Sequence, residues 1–112
     1  MLNPTSTLSE EITQLHAEIC SALGDSRRIL LLYTLFEKPY TVNDLAEKLN
    51  FSQPATSRHL KILRDRGMVR TLRQGASVEY SLSDPRLIQA LDLLRAMLKD
   101  RLAYSASLME FE

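Results

Sequence analysis

Polar and cationic side chains recur at helical spacing over residues 52–67. Thr56, Leu60 and Leu63 are spaced to form the buried face of a helix, which leaves the other positions facing outward. The outward side chains are hydrogen-bonding groups near the N-terminal end and cations further along: Gln53, Ser57, Arg58, Lys61 and Arg64. A helix in a DNA major groove has this arrangement, with its base-reading side chains near the N-terminal end. We therefore predict that the first three read bases and that the last two contact phosphate.

Positive charge is concentrated in the same part of the chain. The whole sequence is neutral, with 14 basic and 14 acidic side chains, yet residues 51–80 carry six basic and only two acidic ones. Arg73 belongs to this set and lies at the tip of a predicted hairpin, where a cation can reach the DNA backbone or minor groove. A basic segment inside a neutral chain indicates a local anion-binding face.

Capping residues, glycines and prolines divide the rest of the chain into the elements that must position this segment. The predicted helix caps are Thr7, Asp25, Thr41, Ser52 or Gln53, and Asp84. The helices after them are predicted to end near residues 24, 37, 49, 66 and 103. Segments 69–73 and 77–82 alternate in polarity around Gln-Gly-Ala and predict a hairpin. The fold class is mainly α with a small β-hairpin, in the order of a winged helix-turn-helix.

The domain boundaries follow from these elements. We predict a flexible N-terminal tail over residues 1–7, a DNA-binding and dimerisation domain over 8–103, and a C-terminal tail over 104–112. The first helix carries one apolar stripe: Leu8, Ile12, Leu15, Ile19 and Leu23. The last helix carries a broader one: Leu87, Ile88, Leu91, Leu94 and Leu98. This apolar surface exceeds what one small domain can cover, so we predict a homodimer through the first and last helices.

Several other classes of protein are disfavoured. The single cysteine excludes an intrachain disulfide, and no apolar run approaches the roughly 18–20 residues of a membrane helix. The first seven residues lack the basic cluster and apolar core of a secretory signal, so we predict a cytoplasmic protein without a membrane partner. Ser57 and His59 lie on different sides of their helix and cannot act as nucleophile and base. We predict no enzymatic activity and no cofactor.

Four motifs in order resemble the ArsR-type family of winged helix-turn-helix repressors. They are LGDSRR at 23–28, TVNDLA at 41–46, SQPATSRHLKIL at 52–63, and the wing pieces GMV, RQG and YSL at 67–69, 73–75 and 80–82. The resemblance covers about residues 15–100. It implies a small homodimeric bacterial repressor that leaves its double-stranded DNA operator when an inducer binds or oxidises it. It also implies a dimer interface formed by the first and last helices.

The sensing residues of that family do not carry over to this sequence. One metal site uses paired cysteines where this chain has Thr41 and Asn43. A second uses ligands on the last helix, where the positions here read Asp84, Arg86, Met97 and Asp100. Members that sense oxidants pair two cysteines, one at the position of Tyr33. We therefore predict no metal site and leave the inducer unidentified.

Two residues allow alternative interpretations. Cys20 follows His16 by four residues, so the two could be metal ligands, or Cys20 alone could be a redox or effector site with Arg27 and Arg28 nearby. We favour a small buried cysteine beside an exposed histidine. His59 could contact DNA, but we favour a histidine that packs against a neighbouring helix. A metal sensor of the same fold and a winged-helix module for protein–protein contact remain the alternative functions.

Overall fold

The computed structural model describes residues 7–110, which form five α-helices, one 3₁₀ helix and three β-strands. In chain order they are α1 (Leu8–Glu18), the 3₁₀ helix (Cys20–Gly24), α2 (Ser26–Glu37), β1 (Tyr40–Thr41), α3 (Val42–Leu49), α4 (Gln53–Asp65), β2 (Val69–Gln74), β3 (Ser77–Leu82) and α5 (Arg86–Glu110). This order confirms the predicted winged helix-turn-helix. The predicted N-terminal tail, except Thr7, lies outside the described residues, and so do residues 111 and 112.

The first helix begins as predicted but ends earlier. The Thr7 hydroxyl accepts a hydrogen bond from the Glu10 N–H, and the Glu10 carboxylate accepts one from the Thr7 N–H, so the predicted cap Thr7 forms a capping box with Glu10. The prediction of one helix up to Gly24 is wrong, because the chain tightens into a 3₁₀ helix at Cys20. The tighter winding turns Ala22 into the core, where only 1% of its surface is exposed.

The core lies between α2 and the faces of the helices packed around it. Leu31, Leu32 and Leu35 of α2 meet Leu45 of α3 and Leu60 of α4. The second helix, α2, is therefore the centre of the domain on this side. Its other face is open, since Leu30 and Phe36 are about half exposed.

The wing is a three-stranded antiparallel sheet in the order β1–β3–β2. The predicted hairpin is confirmed, and Gly75 adopts φ +61° in its two-residue turn, a conformation that favours glycine. The strand β1 was not predicted, because two residues cannot show an alternating pattern. Tyr40 pairs with Tyr80 in that strand, which ties the wing to the start of α3.

The last helix is longer than predicted. The Asp84 carboxylate accepts a hydrogen bond from the Arg86 N–H at 2.9 Å, which confirms Asp84 as the cap. The predicted C-terminal tail from residue 104 is wrong as far as residue 110, because α5 continues through Glu110. No glycine or proline follows Pro85, so no helix-breaking residue ends the helix before this point.

Two long apolar surfaces are open to solvent in the protomer. On α1, Leu8, Ile12 and Leu15 are exposed, and on α5 the exposed set is Leu93, Leu94, Met97, Leu98, Leu102, Tyr104, Leu108 and Met109. The radius of gyration is 17.4 Å, whereas a compact domain of this length has about 13 Å. The protomer is thus extended, and the apolar faces of α1 and α5 are exposed to solvent. Within residues 7–110, no helix combines the length and apolar character needed to cross a membrane.

Candidate nucleic-acid interface

The turn between α3 and α4 fixes the angle at which α4 is presented. Asn50 ends α3 in the left-handed conformation at φ 57°, and the Phe51 N–H returns to the Ala46 carbonyl at 2.9 Å. The Ser52 hydroxyl then caps α4 by accepting a hydrogen bond from the Ala55 N–H at 3.2 Å. Pro54 stands in the first turn, where its missing N–H costs nothing. Three residues therefore separate the two helices, as in a helix-turn-helix.

The two faces of α4 differ in burial as predicted. Thr56, Leu60 and Leu63 have no exposed surface, which confirms the inward face. The five predicted contact residues of α4 are all exposed: Gln53, Ser57, Arg58, Lys61 and Arg64. Four of them follow one another at spacings of four, four and three, which places them in one stripe along the helix. Arg58 stands roughly 100° around the helix from Ser57 and widens this stripe into a face.

The cations of this surface remain available to an anion. Lys61 forms an ion pair with Asp65 at 3.0 Å, but both side chains are more than half exposed, so the pair contributes little. No carboxylate of residues 7–109 lies within salt-bridge distance of Arg58, Arg64 or Arg73. A phosphate that approaches α4 would thus meet cations that have no strong competing partner.

The wing extends the same surface beyond α4. Arg73 is exposed on β2 opposite Val78, one residue before the last pair of the hairpin. Two polar clefts separate α4 from the wing. One of about 520 Å³ lies between Gln53, the start of α3 and residues 76–78, and one of about 280 Å³ lies between Tyr80 and the middle of α4. Helix, clefts and wing together form a grooved polar surface that can accept a nucleic-acid backbone.

His59 belongs to the packing of α4, which confirms the interpretation we favoured. Only 8% of its surface is exposed, and its Nδ1 lies 3.2 Å from Arg28 Nη1 on α2. Burial lowers the pKa of His59, and the cations Arg27, Arg28 and Arg58 add to this effect while Asp25 opposes it. One feature of the sequence could have indicated this contact. Arg28 stands in the first turn of a helix, where the helix dipole disfavours a cation unless it has other partners.

Arg66, at the C-terminal end of α4, forms a contact between helices that was not predicted from the sequence. Its Nη1 donates to the Ala17 carbonyl at the end of α1 and to the Ser21 hydroxyl at 3.2 Å. Helical spacing does separate Arg66 from Arg64, because Arg66 follows the buried His59 by two helical turns whereas Arg64 continues the outward stripe. The partner of Arg66 could not be predicted, because only the three-dimensional fold brings α1 beside this end of α4.

The structure places Cys20 differently from the expectation we favoured. Cys20 is exposed, so the prediction of a buried packing residue is wrong, and it begins the 3₁₀ helix that follows α1. Arg27 binds Asp25 and holds the pKa of that carboxyl at about 2, mainly through their side-chain hydrogen bonds. Among the described residues, no three histidine, cysteine or acidic side chains lie close enough to hold a metal. The effector role of Cys20 stays a prediction.

The fold and this surface define a DNA-binding protein of the winged helix-turn-helix class. Residues 25–71 match the sequence model of a family described as "Bacterial regulatory protein, arsR family". The chain is 36% identical to the HTH-type transcriptional regulator NmtR of Mycobacterium tuberculosis over 89 residues, which are 80% of this chain and 74% of the relative. The chain belongs to the ArsR family of transcriptional regulators.

Two further relatives agree with this assignment. A probable mercury resistance operon repressor of Streptomyces lividans is 34% identical over 78% of this chain and 70% of its own length. The crystal structure of NolR from Sinorhizobium fredii superposes with a TM-score of 0.72 at 31% identity, covering 86% of this chain and 96% of NolR. The family consists of DNA-binding regulators, so the chain is a transcriptional regulator and not an enzyme.

Proposed function

We propose that this regulator is a sequence-specific repressor, which binds an inverted-repeat operator as a homodimer and is released by an inducer still to be identified. The observation that carries the proposal is the outward face of α4, which is exposed and polar while the opposite face is fully buried. A surface helix that needed only solubility would not require a capped, sharply turned entry or a basic wing beside it. A helix-turn-helix protein that reads the major groove presents the outer face of its second helix at a fixed angle, and neighbouring elements contact the DNA backbone.

The residue roles follow from position along α4. Gln53, Ser57 and Arg58 lie in its first two turns, where side chains of a recognition helix reach base edges, and we assign them base reading. Lys61 and Arg64 lie further along beside the cleft with Tyr80, and we assign them phosphate contacts. We assign Arg73, next to the tip of the wing, a contact with the backbone or minor groove of the neighbouring DNA segment.

The homodimer is proposed from the uncovered apolar surfaces of α1 and α5. A second copy of the chain is the simplest partner, because the same two surfaces on each protomer then bury each other around a twofold axis. Two α4 helices related by that axis would enter successive major grooves. The half-site centres should therefore lie about one helical turn, roughly 10 base pairs, apart.

The experiment that tests the proposal is a gel shift with the promoter of the protein's own gene, followed by footprinting. The protein should protect a sequence with dyad symmetry and should prefer it over random DNA of equal length. Sedimentation should show a dimer at micromolar concentration. A monomer, or a footprint without dyad symmetry, would contradict the proposal.

A further inference from the structure

The segment at which α1 gives way to the 3₁₀ helix is tied directly to the end of α4. The last carbonyls of a helix have no partner inside the helix, and a cation placed there is favoured by the helix dipole. Arg66 supplies that cation to the Ala17 carbonyl, and the Ser21 hydroxyl donates to the same carbonyl at 2.8 Å. The final turn of α1 is thus completed by the side chain of the residue that ends α4.

A second tie joins the same segment to the middle of α4 through α2. Arg28 Nε donates to the Ala22 carbonyl of the 3₁₀ helix at 2.6 Å, and Arg28 Nη1 lies 3.2 Å from His59 Nδ1. Because a guanidinium has only donors, His59 Nδ1 must be the acceptor, so this contact requires the neutral imidazole. His59 is buried, which favours that neutral form.

The two ties reach α4 at separate points. At the end of α1, the residues that they reach lie within six residues of each other. Arg66 holds the C-terminal end of α4, and His59 lies two helical turns earlier on its buried face. Two separated contacts resist rotation as well as translation, which one contact could not do. The guanidinium groups also restrict the relative orientation of the segments that they join, because the N–H donors of a guanidinium form a planar fork of fixed geometry.

We propose that Arg28 and Arg66 are positioning residues that couple the position of α1 to the orientation of α4. Neither is assigned a contact with DNA. The inference rests on the proposed function, because it matters only if α4 reads DNA and α1 contributes to a dimer. A displacement of the α1 end within that dimer would then reach the reading face of α4 through two arginine side chains.

The test uses Arg66→Gln in the full chain, with Arg64→Gln as the matched control. The DNA is a duplex recovered by the protein from a randomised pool, compared with a random duplex of equal length. A positioning residue should affect specific binding alone. We expect Arg66→Gln to weaken binding to the recovered duplex about five- to tenfold, with unchanged binding to random DNA and an unchanged dependence on salt. Arg64→Gln should weaken binding to both and reduce the salt slope by about one.

Conservative variants separate positioning from simple loss of structure. Arg66→Lys keeps a cation that can donate to the Ala17 carbonyl and should restore most of the specific affinity. His59→Asn keeps an acceptor near the position of Nδ1 and should bind like wild type, whereas His59→Leu should lose specific binding. Thermal melting and sedimentation of each variant report the fraction that is folded and dimeric.

Several results would overturn the proposal. Unchanged specific binding in Arg66→Gln would show that the tie does not position α4, and a reduced salt slope would show a direct phosphate contact instead. A loss in proportion to the unfolded or monomeric fraction would show a merely structural role. Failure of the wild-type protein to prefer any recovered duplex would be a different result, since it would refute the proposed function itself.

Discussion

Replacement of Arg58 by alanine is the substitution that separates base reading from general attraction to DNA. Arg58 is exposed, and no carboxylate of residues 7–109 pairs with it, so the folded protein loses no ion pair. Stability should change by less than about 0.5 kcal/mol. A base contact by an arginine contributes about 1–3 kcal/mol of discrimination, which corresponds to a loss of about 5- to 150-fold in affinity for the operator.

The assay is fluorescence anisotropy with the operator duplex and with a random duplex, each titrated at several salt concentrations. Arg58→Ala should narrow the difference in affinity between the two duplexes. Arg73→Ala serves as the control, because a wing contact to the backbone should weaken both complexes alike and reduce the salt dependence. If Arg58→Ala weakened both complexes equally, Arg58 would be a phosphate contact and our assignment of base reading would be wrong.

Three further predictions concern stability, pH and assembly. Leu60→Ala removes a side chain with no exposed surface and should lower the free energy of unfolding by about 2–5 kcal/mol in urea titrations. Replacement of the partly exposed Ile62 by alanine should lower the free energy of unfolding clearly less than Leu60→Ala does. Equal losses would contradict our assignment of the buried face of α4. Because burial lowers the pKa of His59, the unfolded chain binds more protons than the folded chain below about pH 6.5. Stability should therefore fall as the pH drops from about 6.5 towards 5, and His59→Asn should flatten that slope; an unchanged slope would exclude His59 as its source. Leu98→Glu on the exposed face of α5 should give a folded monomer in sedimentation while Lys99→Glu stays dimeric, and a dimer in both would place the interface elsewhere.

Most of the fold could be predicted because the residues that determine where its helices begin act locally in the sequence. Asp25, Thr41 and Ser52 each cap a helix by accepting a hydrogen bond from an N–H two or three residues further on, so neighbouring residues alone determine where these helices begin. The buried face of α4 followed from spacing for the same reason. Strand β1 could not be predicted, because its two residues are too few to alternate and its pairing with β3 joins residues that lie far apart in the chain.

Within the candidate site, we could predict only those residues whose exposure follows from their position along a helix. The outward residues of α4 needed nothing beyond their spacing. The ties from Arg28 and Arg66 join residues 6, 31 and 49 positions apart in the chain, and such contacts depend on how whole helices pack. The early end of α1 and the exposure of Cys20 depend likewise on the burial of Ala22 against the core.

The entry of α4 into the major groove is the central claim, and affinity cleavage tests it directly. Because Cys20 is the only cysteine, an Asp65→Cys, Cys20→Ser variant carries one thiol, at an exposed position of α4 with no assigned DNA contact. An iron chelate on that thiol should cut the operator in two clusters related by dyad symmetry, with centres about 10 base pairs apart. An intact footprint with no cleavage, or with cleavage outside the two half-sites, would contradict the account.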